Sequence, residues 1–139
     1  IALDHASGEL LWMFDCGWGI ESTPVIYNDL VIFGSHDQNV YALDKDSGES
    51  RWIFSCQAGI HTDPVIWKNS VIIGSDDGNL YCLNGETGSP IWCFSPGSVI
   101  QGSTRNYKTT PIRSSVAFFS DGLFIGALGQ LYLIDENLR

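Results

Sequence analysis

The stretch Asn39–Phe54, NVYALDKDSGESRWIF, contains the pattern that decides the fold. Its first part, Asn39–Asp44, alternates in polarity and is rich in residues that favour strands, so it predicts a β-strand. Lys45–Gly48 predicts a turn in which Gly48 takes a positive φ. Arg51–Cys56 then predicts the next strand, so the stretch encodes a strand, a tight turn and a second strand.

The same pattern recurs along the chain with a period of forty residues. Residues 2–41 and 42–81 are identical at about half of their positions without a gap, and 82–132 forms a third copy. This third copy is about eleven residues longer, which we assign to an insertion at 105–115. A period near forty predicts a propeller or a solenoid. The repeated positions include the glycines and tryptophans Gly8, Gly48, Gly88, Trp12, Trp52 and Trp92.

Each repeat is predicted to contain four short strands. In the second copy, Pro64–Trp67, Val71–Ser75 and Leu80–Asn84 follow Arg51–Cys56, with Asp77-Gly78 as a hairpin turn signal. No window shows the 3.6-residue period of a helix, so we predict an all-β chain. A propeller is favoured over a β-helical solenoid, because the turns of such a solenoid are usually shorter than forty residues.

The repeat resembles that of the PQQ-like, quinoprotein-type β-propellers. The resemblance rests on YALDKDSGESRWIF (Tyr41–Phe54), ALDHASGELLWMF (Ala2–Phe14), TPVI (Thr23–Ile26), DPVI (Asp63–Ile66) and VIIGSDDGNLY (Val71–Tyr81). It covers the whole chain apart from 105–115. It implies four-stranded antiparallel blades around a central channel, with the tryptophans packed between adjacent blades.

The strand count predicts about three and a half blades in a single partial propeller domain, 1–139. Naming the strands of a blade A to D, the chain contains C-D, A-B-C-D, A-B-C-D and A-B-C. Such an arc leaves unpaired sheet edges. We therefore expect the rest of the ring to come from a longer protein, since the chain starts at Ile1 and its one methionine is Met13. Another copy of the chain is the alternative.

Charge and cysteine content narrow the partners and the compartment. A net charge of −9 disfavours nucleic acid and anionic membrane surfaces, and no apolar run is long enough for a membrane span. The four cysteines fit no metal-binding or redox spacing and are expected to be buried free thiols. Free thiols favour a reducing compartment such as the cytoplasm. Because the family has many periplasmic members, a periplasmic or extracellular location stays open.

Candidate binding residues lie where the resemblance places the mouth of the propeller. Glu21, His61 and Gln101 share one repeat column just before the first strand of a blade, and Asp63 follows two residues after His61. His61 and Asp63 could form a base with its orienting carboxylate. The alternative, which we favour, is that these polar residues line a wet channel.

The insertion is a second candidate, because it carries Arg105, Lys108 and Arg113 in an otherwise acidic chain. These residues suit an acidic peptide, a carboxylate or a phosphate-bearing ligand. The alternative, which we favour, is a solvated loop. Acidic residues in two hairpin turns, Asp37 and Asp76–Asp77, are explained by turn chemistry, so we expect no metal there.

We predict a non-catalytic propeller scaffold segment that binds a protein or another ligand through its mouth loops. One alternative is part of a PQQ-dependent dehydrogenase, although PQQ with calcium would require a complete propeller and no two cysteines are adjacent. A narrower resemblance, in Gly34–Asp44 and Asp77–Asn84, is to the C-terminal propeller of aminoadipate-semialdehyde-dehydrogenase-like adenylating enzymes. It implies an accessory propeller. By itself the chain is expected to hold no cofactor and to catalyse no reaction.

Overall fold

The computed structural model describes residues 1–99, 110–119 and 122–135. Within these ranges the chain forms strands together with one helical turn of four residues. The elements are β1 (Ala2–Leu3), β2 (Leu10–Trp12), β3 (Val25–Tyr27), β4 (Leu30–Gly34), β5 (Asn39–Asp44), β6 (Ser50–Ser55), β7 (Val65–Trp67), β8 (Ser70–Gly74), β9 (Leu80–Asn84), β10 (Pro90–Phe94), α1 (Pro96–Val99), β11 (Val116–Phe119), β12 (Gly122–Ala127) and β13 (Gln130–Asp135).

The strands form four antiparallel sheets in which sequence neighbours pair with each other. β1 and β2 make a two-stranded sheet, β3–β6 make blade 1, β7–β10 make blade 2, and β11–β13 make a three-stranded blade 3. The first strands of blades 1 and 2, β3 and β7, contact each other. Two, four, four and three strands confirm the predicted all-β propeller arc of about three and a half blades.

The turn between the third and fourth strands of a blade forms because an Asp or Asn side chain caps it. The Asp44 Oδ1 accepts hydrogen bonds from the backbone N–H groups of Asp46 and Ser47 at 3.0 and 2.9 Å. Gly48 closes the turn with a φ of +74°, a conformation in which a Cβ is unfavourable. Asn84 makes the same pair of hydrogen bonds in blade 2, which confirms the turn predicted at Lys45–Gly48.

Tryptophan docking joins the two-stranded sheet to blade 1 and blade 1 to blade 2. The Trp52 side chain is 8% exposed, and its Nε1–H donates a 3.1 Å hydrogen bond to the Gly85 carbonyl of blade 2. Its ring packs on Gly88, where a Cβ would lie 2.5 Å from Cε3. Trp12 meets Gly48 in the same way one repeat earlier. The packing of tryptophan between adjacent sheets, which the resemblance implied, is therefore observed at these two junctions, and the glycines supply the surface on which the rings pack.

The sheets bury their apolar faces against each other, which is the main source of stability in such a fold. The core between blades 1 and 2 is built from fully buried aliphatic side chains of both sheets: Ile32, Val40, Ile60, Val71, Ile73 and Leu83. A second core, centred on Ile72, Ile112, Leu123 and Ile125, joins blades 2 and 3. This packing holds the loops at each end of the blades in fixed positions.

A buried hydroxyl fixes the segment that leads into the first strand of each blade. Thr62 Oγ1 donates to the Gly74 carbonyl at 2.9 Å and accepts from the Gly74 N–H at 3.0 Å. Ser22 bonds to Gly34 in the same way, and Ser114 Oγ donates to the Gly126 carbonyl at 2.6 Å. Each hydroxyl therefore fixes the segment before the first strand of its blade against the second strand.

These hydrogen bonds place Arg113 in the repeat. Because Ser114 matches Ser22 and Thr62, the preceding residue, Arg113, matches Glu21 and His61. Ile112 likewise donates from its N–H to the Ser75 carbonyl, as Ile60 does to Ser35. Counting forty residues on from His61 places Gln101 in this column. In the structure Arg113 holds the position instead, twelve residues further along the chain. Arg113 then belongs to the scaffold rather than to the inserted loop.

The four cysteines are free, and their burial differs. Cys56 and Cys82 are 7% and 1% exposed, in line with the prediction of core thiols. Cys93 is exposed and Cys16 is half-buried, so the prediction of burial does not hold for these two. In the part of the chain that the structure describes, no helix has the length and apolar character needed to cross a membrane.

Candidate functional site

Five polar side chains from the three blades meet in one row, which we call the charged row. The row alternates between two kinds of position: the segment before the first strand of a blade, and the hairpin between its second and third strands. Its members, in order, are Glu21 before β3, His36 in the β4–β5 hairpin, His61 before β7, Asp76 in the β8–β9 hairpin, and Arg113 before β11.

Backbone hydrogen bonds between blades explain why the row forms. The N–H of Ile60 donates to the carbonyl of Ser35, so the segment that leads into blade 2 lies against the hairpin of blade 1. His61 and His36, the residues that follow Ile60 and Ser35, therefore lie side by side, with 4.0 Å between their ring centroids and an angle of 43° between their planes. Arg113 comes to lie against Asp76 by the same repeat geometry.

Short polar contacts run along the whole row. The Glu21 Oε2 lies 3.0 Å from Nδ1 of His61 and 3.4 Å from Nε2 of His36. On its other side, His61 places Nε2 3.2 Å from the Asp76 Oδ2. Arg113 donates two hydrogen bonds to the Asp76 carboxylate, from Nε at 2.9 Å and from Nη2 at 2.6 Å. His61 is therefore held between two carboxylates.

These contacts stabilise the charged forms of the carboxylates. The hydrogen bond with His61 lowers the pKa of Glu21 from its ordinary value, even though partial desolvation opposes this. The hydrogen bonds from Arg113 lower the pKa of Asp76, and the same pairing raises the pKa of the guanidinium. Both acids are thus anionic at neutral pH, and the charge of Arg113 is paired within the row.

The row borders an open cleft of about 590 Å³. Trp18 stands at the cleft with 73% of its surface exposed. At the matching position of the next repeat the chain has Ala58, so the aromatic side chain is particular to this blade. The cleft is lined by Trp18, His36, Asp37, Gln38, Gly59, His61 and Asp76.

Two acids near the cleft have structural partners. Asp37 accepts hydrogen bonds from the Tyr41 hydroxyl at 2.7 Å and from the Gly17 N–H at 3.0 Å. Asp77 accepts the equivalent bonds from Tyr81 and Gln57 at 2.8 and 3.0 Å. Each therefore ties its hairpin to the end of the preceding sheet, which agrees with the turn chemistry expected from the sequence.

The sequence-predicted site residues have different positions in the structure. Glu21 and His61 come together as members of one site. Asp63 instead accepts a 2.5 Å hydrogen bond from the Thr23 N–H, so it fixes the neighbouring blade, while His61 pairs with Glu21 and Asp76. Arg113 is bound to Asp76 rather than open to an acidic ligand. The other predicted residues, Gln101, Arg105 and Lys108, lie outside the described residues.

Sequence reasoning missed Trp18, His36 and Asp76 as members of one site. The sequence contained a signal. His36 and Asp76 occupy the same position in two repeats, and the residue differs between the copies but is titratable in both. The donor atoms of Glu21, His36 and His61 lie within 4.8 Å of one another, so these are the described residues that can share a metal ion.

Comparisons with known proteins agree with this architecture. A solved structure of BamB from Moraxella catarrhalis superposes with a TM-score of 0.79 at 23% identity, over 97% of this chain and 39% of BamB. Quinohemoprotein alcohol dehydrogenase from Comamonas testosteroni gives 0.64 at 22% identity, over 78% of this chain and 17% of the enzyme. The computationally designed Ika8 protein gives 0.59 at 18% identity, over 79% and 31%.

At these identities the solved structures show the fold, and the chain spans less than half the length of each of them. No curated protein sequence matches the chain. A family model described as outer membrane protein assembly factor BamB matches residues 1–135. The chain therefore belongs to this BamB-type family of PQQ-like β-propeller repeats.

Proposed function

We propose that the chain is part of a non-catalytic β-propeller scaffold that binds a protein partner at the cleft beside the charged row. The observation that carries the proposal is Trp18, which is 73% exposed at the cleft next to charged side chains. Tryptophan is enriched among the residues that dominate protein interfaces, where it fills a pocket on the partner. Charged groups beside such an anchor supply orientation and specificity.

Charge favours a partner that presents basic residues. The chain carries a net charge of −9, and the Glu21 side chain is 64% exposed at one end of the row. Arg113 is neutralised by its bidentate contact with Asp76. Capture of an acidic ligand would therefore depend on Arg105 and Lys108, so that proposal is the weaker one. Complementary charge would also speed association with a basic partner.

The family supports a role in protein binding. The matching model is described as an outer membrane protein assembly factor, and BamB from Moraxella catarrhalis shares the fold over most of this chain. Exposed apolar side chains on the outer sheets support completion of the ring by further blades or by a second copy of the chain. Among them are Leu10 and Leu11 in β2, and Leu131 in β13, which are 59%, 61% and 71% exposed.

Site-specific photo-crosslinking in the full-length protein, in its native cells, tests this proposal. A crosslinking residue at Gln38 reports on the cleft, and one at Asp46 reports on the turn at the opposite end of β5. We expect a discrete protein adduct from position 38, none from position 46, and loss of the adduct in Trp18→Ala. An adduct that survives Trp18→Ala, or that forms equally at both positions, would contradict the proposal.

Part of a PQQ-dependent dehydrogenase is a second candidate, supported by the structural match to the Comamonas enzyme. Titration of the full-length protein with PQQ and calcium separates the two candidates. A saturable change in quinone absorbance would favour the dehydrogenase, whereas an unchanged spectrum together with the crosslinked partner would favour the scaffold. An accessory propeller of an adenylating enzyme stays a prediction.

A further inference from the structure

Three donor atoms converge at one end of the charged row, all within 4.8 Å of one another. The Glu21 Oε2 lies 3.0 Å from the His61 Nδ1 and 3.4 Å from the His36 Nε2. Ligands of tetrahedral zinc lie 2.0–2.2 Å from the ion, so two of them are about 3.3 Å apart. The observed separations between the oxygen and the two nitrogens therefore match those of ligands that share one ion.

The environment of the His36 nitrogen is compatible with a metal ligand. His36 Nε2 is buried and has no hydrogen-bond partner, although it faces the Glu21 carboxylate. A buried polar nitrogen without a hydrogen bond costs free energy, so such atoms usually have a function. A metal ion between His36 and Glu21 would satisfy this nitrogen through its lone pair.

The opposite side of His61 has the features of a supporting shell. Its Nε2 lies 3.2 Å from the Asp76 Oδ2, and Asp76 is in turn held by two hydrogen bonds from Arg113. Histidines that bind metals usually donate their other N–H to a carboxylate, which fixes the tautomer and orients the ring. With Nε2 donating to Asp76, the Nδ1 of His61 would carry the lone pair and could bind an ion beside the Glu21 Oε2, in place of the hydrogen bond that it makes there in the absence of metal.

We propose that Glu21, His36 and His61 bind one divalent transition-metal ion of the zinc type. Two imidazoles and one carboxylate suit zinc, and they also suit cobalt or nickel, whereas calcium and magnesium prefer sites made of oxygen ligands. Three protein ligands leave a fourth position for water or for a ligand atom from another molecule. The proposal does not depend on the identity, or the existence, of a protein partner at the cleft.

Titration of the full-length protein with cobalt, followed by displacement with zinc, tests the site directly. Tetrahedral Co²⁺ absorbs visible light, and binding to the exposed Cys93 is removed by working in a Cys93→Ser background. We expect saturable binding with one ion per chain. Asp76→Asn should weaken it about 10- to 100-fold, as loss of a supporting carboxylate does elsewhere. His36→Ala and His61→Ala should weaken it further.

Two further variants distinguish loss of the metal site from loss of the fold and from binding at another histidine. Glu21→Gln changes a largely exposed side chain, so the variant should keep its near-ultraviolet circular dichroism while losing the metal. His5→Ala removes an exposed histidine outside the site and should bind cobalt as the parent does. Absence of saturable binding by the folded parent would overturn the proposal. Equal binding by Glu21→Gln, His61→Ala and the parent would also overturn it.

Discussion

Replacing Gly88 by alanine tests the junction between blades more directly than truncating the tryptophan. Gly88 has a φ of +69°, and a Cβ placed there would lie 2.5 Å from Cε3 and 2.7 Å from Cδ2 of Trp52. Real Cβ atoms do not approach other atoms so closely, so the indole ring must move. It is 8% exposed and is held by the hydrogen bond from its Nε1–H to Gly85 O, so this movement disturbs the packed core.

The repeat supplies a matched control for this substitution. Gly8 occupies the same turn with a φ of +75°, but a Cβ at this position would meet no atom within 4 Å. Gly8→Ala therefore costs only the left-handed backbone strain, about 1–2 kcal/mol. Gly88→Ala adds about 1–3 kcal/mol for overpacking against Trp52. The two variants should thus differ by about 1–3 kcal/mol in the free energy of unfolding, or more if the indole hydrogen bond breaks.

Urea unfolding followed by tryptophan fluorescence measures both variants against the parent protein. We expect Gly88→Ala to lower the midpoint clearly more than Gly8→Ala, with similar slopes. In a Trp52→Phe background the cost of Gly88→Ala should be smaller than in the parent, since the smaller ring leaves room for the methyl group. Equal destabilisation by Gly8→Ala and Gly88→Ala would show that backbone strain, rather than the close approach of the indole, accounts for the cost.

Two further predictions concern titration and reactivity. The N–H of Ser47 donates to the Asp44 carboxylate and lowers its pKa, so this stabilisation is lost as pH falls through the folded-state pKa. Asp44→Asn, which introduces the residue found at the matching position Asn84, should therefore reduce the decrease in the free energy of unfolding at acid pH. An unchanged pH dependence would contradict this. Burial raises the pKa of Cys56 to about 12 and partial desolvation also raises that of Cys93, but Cys93 is exposed. A thiol reagent at neutral pH should therefore label Cys93 faster than Cys56, which reacts only after unfolding. Equal labelling rates of Cys93 and Cys56, measured by mass spectrometry, would contradict this.

Much of the fold follows from the sequence because the repeat presents the same local chemistry more than once. β5 and β9 run over the predicted ranges, Asn39–Asp44 and Leu80–Asn84. The turn between β5 and β6 forms where the Asp and Gly positions require it. The lead into blade 3 was harder to place, because counting residues aligns Gln101 with His61. The hydrogen bonds from Ser114 to Gly126 and from Ile112 to Ser75 show that Arg113 takes that position.

The site was predicted less completely, because its members become neighbours only through contact between blades. Glu21 and His61 were identified from one column, but His36 and Asp76 belong to a different column, in hairpins. Nothing in their spacing along the chain shows that a hairpin lies against the next blade's leading segment. The choice of Asp63 as the partner of His61 assumed that two residues in one segment point the same way. The structure instead uses Asp63 to bind the Thr23 N–H.

The alternation of the charged row has a consequence for how this kind of protein acquires specificity. Blades 1 and 2 each contribute one side chain from the leading segment and one from a hairpin, and blade 3 contributes Arg113 from its leading segment, whereas the docking of tryptophan on glycine lies elsewhere in the repeat. Glu21, His61 and Arg113 show that one column accepts an acid, an imidazole and a guanidinium on the same backbone. Substitutions in this column can therefore change the chemistry of this face one blade at a time, while the backbone hydrogen bonds that position the column stay the same. Relatives that share the fold need not share a ligand.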